Sequence, residues 1–398
     1  TYTATDTTDS VTVTQTASVT FTPGTPAAAQ STVSASPGSV TADGVTTSTV
    51  TVTLKDANSN VVPGKAVSLA KGSGSSTITT VTGTTNGSGQ ATFTVKDTVA
   101  ETTTYTATDT TDSVTVTQTA SVTFTVGAVS ASQSGVSASP GSVVADGSTT
   151  STITVTLKDA TGNAVAGKTV SLAKGSGSST ITTVSGTTDA SGQAAFTVKD
   201  TVAETTTYTA TDTTDSVTVT QTASVIFAAG AVSASQATIG SSPGSVVADG
   251  STTSTITVTA RDAFGNLLAG QSVSLSQGAG SSTITTVSGT TNGSGQATFT
   301  VKDTVAQTVT YSATVGITTI TATANVVFTP GAATHFSLSA PATATAGSAF
   351  SVTVVALDAN NNTATGYTGI AHFTSSDGQA VLPANYTFTG GDAGSHSF

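Results

Sequence analysis

Aspartate is the residue with the most chemical promise in this chain, and it recurs in three settings. It follows Ala in A-D-G at Asp43, Asp146 and Asp249. It follows a basic residue at Asp56, Asp159 and Asp262. It brackets the D-T-T-D turns at Asp109/Asp112 and Asp212/Asp215. Calcium takes roughly six to eight oxygen ligands, usually with several carboxylates converging. If the chain binds calcium, the expected ligands are Asp109, Asp112, Asp146, Asp212, Asp215 and Asp249, near domain junctions. The competing reading is turn chemistry, since Asp and Asn side chains close turns through their own hydrogen bonds. No D-x-D-x-D-G run is present, and residues 313–319 read ATVGITT where the other copies carry D-T-T-D. A site built on those carboxylates is therefore not general to the chain.

Other chemistries have fewer residues to work with. The three histidines are His335, His372 and His396, all close to the C-terminal end, so no Ser-His-Asp triad fits the rest of the chain. With no Cys there is no disulfide framework, thiolate metal site or cysteine nucleophile. KGSGSS at residues 71–76 and 174–179 lacks the G-K-[ST] ending of a phosphate loop and reads as a hairpin loop. Lys65 and Lys168 have inward parity, which raises the idea of a Lys–Asn isopeptide staple, but Gln271 stands at the third position and cannot react. Asn86, Asn292, Asn361 and Asn385 fit the N-glycosylation pattern and equally suit polar turns. No catalytic residue and no organic cofactor are expected. Charged residues make up 8% of the chain, with a net charge of −11. A basic face for nucleic acid is therefore excluded. No run of about 20 apolar residues is available to cross a membrane as a helix.

The elements that carry these residues repeat. TYTATDTTDSVTVTQTASV occurs at residues 1–19, 104–122 and 207–225. SPGS begins at Ser36, Ser139 and Ser242, and TVKD at Thr94, Thr197 and Thr300, each spacing being 103 residues. That is the length of an independent domain and too long for a solenoid turn. Within a copy, apolar residues alternate with Thr or Ser, as in Ile153, Val155 and Leu157, or Tyr208 and Ala210. Period 2 marks half-buried antiparallel strands. Gly, Asn, Asp and Pro clusters separate about seven such runs, which is the pattern of a β-sandwich. The last strand is long, and Gln221 interrupts its apolar face, predicting a bulge or a change of partner.

The ordered set SPGSVVADGSTTSTITVT (139–156), KDATGNAVAG (158–167), TDASGQAAF (188–196) and the Y-x-A strand at Tyr208 resembles bacterial immunoglobulin-like domains of the invasin/intimin type. Residues 332–398 resemble a different bacterial Ig-like module. The expected fold is all-β, a tandem array of immunoglobulin-like antiparallel β-sandwiches. Its parts are residues 1–24 (the last strands of a repeat), 25–127, 128–230 and 231–330 (whole repeats) and 331–398 (an incomplete module), as in a window on a longer chain. The resemblance implies an extracellular bacterial surface location and a stalk, spacer or adhesin role. Neighbouring domains of the same chain would be the main partners. Copies in a fibre, donated strands and direct ligand binding are the alternatives.

Overall fold

The computed structural model describes residues Thr1–Phe398. It resolves into two compact units: Thr1–Gly141 with Thr150–Val198 and Thr206–Val225, and Ser142–Thr149 with Lys199–Thr205 and Ile226–Phe398.

In the first unit, the first whole repeat has nine strands. They are β1 (Thr32–Ser36), β2 (Ser39–Thr41), β3 (Ser48–Thr53), β4 (Val67–Lys71), β5 (Thr77–Thr82), β6 (Gln90–Lys96), β7 (Thr102–Asp109), β8 (Val114–Thr115) and β9 (Ala120–Thr125). One sheet runs β1-β3-β6-β5, all antiparallel. In the other, β7 pairs with β4, β8 and β9, and β9 continues in parallel to β2. Alternation does the folding: Val50, Val52, Phe93, Val95, Tyr105, Ala107, Val122 and Phe124 are buried between the sheets, while Thr and Ser of opposite parity face outward. The buried Tyr105 hydroxyl donates to Ser76 Oγ at 2.8 Å, so the polar tip of the ring is satisfied. A register shift between Thr80 and Thr82 bends edge strand β5, a common protection against edge pairing.

The expected long last strand is two strands. Between β8 and β9 the chain turns aside, and the Thr117 N–H donates to the carbonyl of Ala28. The change of partner signalled by the interrupting Gln is therefore present. Of the residues expected to point inward in the second repeat, Ile153, Leu157, Phe196 and Tyr208 are buried. Leu172 is only half-buried, on the strand Val170–Lys174, of which only Val170 is fully buried.

In the second unit, the third repeat forms a four-stranded sheet from Thr238–Ser242, Ser254–Thr259, Gln296–Lys302 and Thr283–Ser288. It packs through Ile256, Val258, Phe299, Val301 and Tyr311. The last module has a three-stranded sheet, His335–Ser339, Thr353–Leu357 and Ser395–Ser397. A small core there contains Val354, Ala371 and Phe388. The single helical element is the 3-10 turn Gly390–Asp392.

Candidate functional site: repeat junctions and carboxylate clusters

The same polar clamp stands at each of the three passages from a whole repeat to the module that follows it. It starts in the turn after the third strand. Asp159 Oδ1 accepts the N–H groups of Thr161 and Asn163, closing the turn, and Oδ2 accepts the linker N–H of Gly127 at 2.9 Å. Burial raises this carboxyl, but the Gly127 N–H and the Asn163 amide more than offset it and hold it at about 2. The Asn163 side chain, oriented by Asp159, then reaches the preceding repeat. Its Oδ1 accepts the Ala100 N–H at 3.0 Å, and its Nδ2 donates to the Thr98 carbonyl at 2.9 Å. One primary amide thus completes a two-bond pairing with a peptide backbone. Thr161 adds a third bond, to the Ala42 carbonyl at 3.0 Å.

In the second unit, Asn266 makes the same pair with Ala203 and Thr201, and Asn362 with Ala306 and Thr304. Asp262 and Asp358 hold the linker N–H groups of Gly230 and Gly331, each at 2.9 Å. The first copy has the orienting part: Asp56 holds Gly24 and Asn60, and is kept at about 2 chiefly by the Asn60 amide and then by the Gly24 N–H.

The six candidate calcium ligands fall into two settings. Asp146 and Asp249 close four-residue turns. Asp146 accepts from the Ser148 and Thr149 N–H groups and the Thr149 hydroxyl, and Asp249 from Ser251 and Thr252 in the same way. The threonine hydroxyl, then the backbone N–H groups, hold both carboxyls below the usual carboxylate range. Asp109, Asp112, Asp212 and Asp215 belong to a different arrangement. Asp112 forms an ion pair with Lys65 at 2.7 Å, and Asp215 pairs with Lys168 at 2.7 Å. The hydrogen bond to Lys65 lowers Asp112, and the same bond raises Lys65. Asp109 and Asp212 are fully buried beside these pairs and accept the N–H groups of Thr111 and Thr214. The cation that meets Asp112 and Asp215 is therefore an ammonium of the same chain. No group of three His, Cys, Asp or Glu side chains comes together to hold a metal.

Asn86 and Asn292 close turns through their side-chain carbonyls. The sequence reading singled out the turn aspartates but not the asparagines of the clamp. Their signal is the D-x-x-x-N spacing at Asp56/Asn60, Asp159/Asn163, Asp262/Asn266 and Asp358/Asn362. It also missed Lys65 and Lys168 as ion-pair partners of the second D-T-T-D aspartate.

The model of the bacterial Ig-like domain (group 1) matches residues 30–126, 133–227 and 236–329. The chain belongs to this family. A search of curated proteins finds no match. Among solved structures, the chain is similar to invasin, described as a bacterial integrin-binding protein. Identity is 20% and TM-score 0.50, over 83% of this chain and 76% of invasin. It is also similar to the Escherichia coli adhesin FdeC, at 25% identity and TM-score 0.48, over 77% of this chain and 99% of that one. Yersinia pseudotuberculosis InvD aligns at 23% identity and TM-score 0.46, over 75% and 97% of the two chains. The invasin likeness shows the fold. The repeats contain neither His nor Cys, so no Ser-His or Cys-His pair is present in them.

Proposed function

We propose that this chain is a spacer segment of a bacterial surface protein, holding whatever it carries at a set distance from the cell. The observation that carries this reading is the recurrence of one clamp. Asn163, Asn266 and Asn362 each lock a side-chain amide onto the backbone of the loop between the sixth and seventh strands of the preceding repeat. Floppy linkers need no such bonds, and distinct receptors need no such uniformity. Outward Thr and Ser rows with few charges give a polar, weakly charged surface, suited to separation from neighbours more than to electrostatic capture. Family membership and the likeness to adhesin folds support an extracellular location, with neighbouring Ig-like domains as the principal partners.

Spin labels test the clamp directly, because the chain has no Cys of its own. Labels introduced by Thr82→Cys and Thr183→Cys, both exposed, should give a narrow distance distribution that Asn163→Ala broadens. A broad distribution in the parent protein would reject docking by this clamp. Distances that appear only between separate molecules would favour a filament subunit instead.

A further inference from the structure

Four side-chain oxygens gather behind the loop that receives the clamp. Asp97 is 4% exposed. Its Oδ1 accepts the N–H groups of Thr98 and Val99 and the Ser75 hydroxyl, at 2.7, 3.0 and 2.8 Å. Those bonds shape the loop that offers Thr98 O and Ala100 N–H to Asn163. Asp97 Oδ2 is buried and has no hydrogen-bond donor. The same Ser75 hydroxyl stands 3.2 Å from Glu101 Oε1, so one oxygen links the two carboxylates. Thr103 is fully buried and brings its Oγ1 to 3.4 Å from Glu101 Oε1. Gly74 leaves room for the group: a Cβ there would lie 2.6 Å from both Glu101 Oε1 and Thr103 Oγ1.

The third repeat shows what satisfies the buried oxygen. There Asp303 Oδ1 makes the same bonds, to Thr304, Val305 and Ser281. Gln307 replaces Glu101, and its Nε2 donates to Asp303 Oδ2 at 2.7 Å and to Ser281 Oγ at 2.9 Å. Val309, fully buried, replaces Thr103. The copy that places a positive hydrogen at this point has therefore given up two of the four oxygens. The copy that keeps all four leaves Oδ2 without a donor. Lys71 does not supply one. Its ammonium donates to the Ser76 carbonyl, and the third copy has Gln277 in its place.

We propose that Asp97, Glu101, Ser75 and Thr103 bind a hard divalent cation, calcium or magnesium, which stiffens the loop that docks the next repeat. The stiffening rests on the spacer reading, whereas the binding stands without it. Carboxylate and hydroxyl oxygens are the ligands such ions take, and water completes the shell. Glu101 is half-buried, so one side of the group is open to water and to the entering ion. A bridging water alone would satisfy Oδ2 but leave two negative charges facing each other, and a divalent cation offsets both. Burial raises the Asp97 carboxyl, but the Val99 N–H and the Ser75 hydroxyl more than offset it and hold it below its ordinary value. Asp97 thus carries its full charge at neutral pH. With two carboxylates the site is a weak one, of about 10⁻⁴–10⁻³ M as in other extracellular modules. Asp200, Glu204, Ser178 and Thr206 stand at the same positions in the second copy.

Terbium serves as the probe, because it takes calcium's ligands and luminesces when a nearby tyrosine is excited. The chain has no Trp, and the Tyr105 hydroxyl is bonded to Ser76, next to the site. The full chain is used with Glu204→Gln, which isolates the first copy. Terbium emission excited through tyrosine should saturate and be displaced by calcium or by magnesium in parallel titrations. Adding Glu101→Gln should weaken binding by about tenfold or more, since affinity follows ligand charge. The third copy shows that glutamine keeps this loop in shape. Gln307→Glu with Val309→Thr should create a site in the third repeat, beside Tyr311. Calcium should also slow hydrogen exchange of the Thr98, Val99 and Ala100 amides, with Phe93 and Val95 as internal controls. No binding at millimolar calcium, or binding that Glu101→Gln leaves unchanged, overturns the site. Either result leaves the spin-label test of the spacer reading untouched. Binding with no slowing of exchange overturns the link to the docking loop.

Discussion

The first and third whole repeats share one sandwich and differ in what they do with charge. In the first, Lys65, Asp109 and Asp112 form a partly buried ionic cluster. In the third, Gln271 stands where Lys65 is, and Val315 fills the position of Asp109. Both Val315 and Asp109 are fully buried, and they pair with the equivalent residues Val273 and Val67. The third copy's turn is also shorter and has no counterpart of Asp112. At the junction loop, Glu101 becomes Gln307. The comparison teaches that none of these charges is required to build the fold. They vary between the copies, while the core and the Asp–Asn clamp stay constant.

If the core is common property, the largest effects should be equal in the two copies. Phe93→Ala and Phe299→Ala should each destabilise their own repeat by about 3–5 kcal/mol, measured by denaturant unfolding. A difference between them as large as the effect itself would break the comparison at its base. The charge difference comes next. Val315→Asp places a carboxyl in the third core with no lysine to meet it, and should cost several kcal/mol. The converse change, Asp109→Val with Lys65→Gln and Asp112→Asn, so that no charge is left without its partner, should be neutral or stabilise the first repeat by about 1–4 kcal/mol. Marked destabilisation by those changes would mean the cluster supports the first sandwich after all.

The fold was legible because strand alternation is strict and the turn residues fall between the runs. Asp109 was less so. It lies on the inward parity of Tyr105 and Ala107, yet D-T-T-D reads locally as a solvent turn, and only the sheet shows that the strand runs on to it. The clamp asparagines were hidden for a different reason. Each closes its own turn with the Asp four residues earlier, a complete local explanation, while the partner backbone lies about 60 residues away in sequence.

Acid should affect all repeats alike. Asp56 and Asp159, held at about 2 against an ordinary 3.8, contribute stability that is complete above the ordinary value and lost as pH falls through the folded one. The melting temperature of both repeats should therefore decline between about pH 4 and pH 2. A pH-independent melt across that window would remove the clamp aspartates from the account. The smallest expected effect separates the two nearly identical copies. Pro63 in the first stands where the second has Ala166, so Pro63→Ala should cost about 0.4–1 kcal/mol through the unfolded chain.

The central claim, that this is a string of equivalent and separately stable spacer domains, is tested most directly by pulling a single molecule from its two ends. Repeats that meet through a few side-chain bonds should unfold one at a time. The account predicts a sawtooth with at least three similar steps, each releasing about the 103-residue repeat length. A single concerted rupture would contradict it, because the repeats would then be one mechanical body and not a series of spacers.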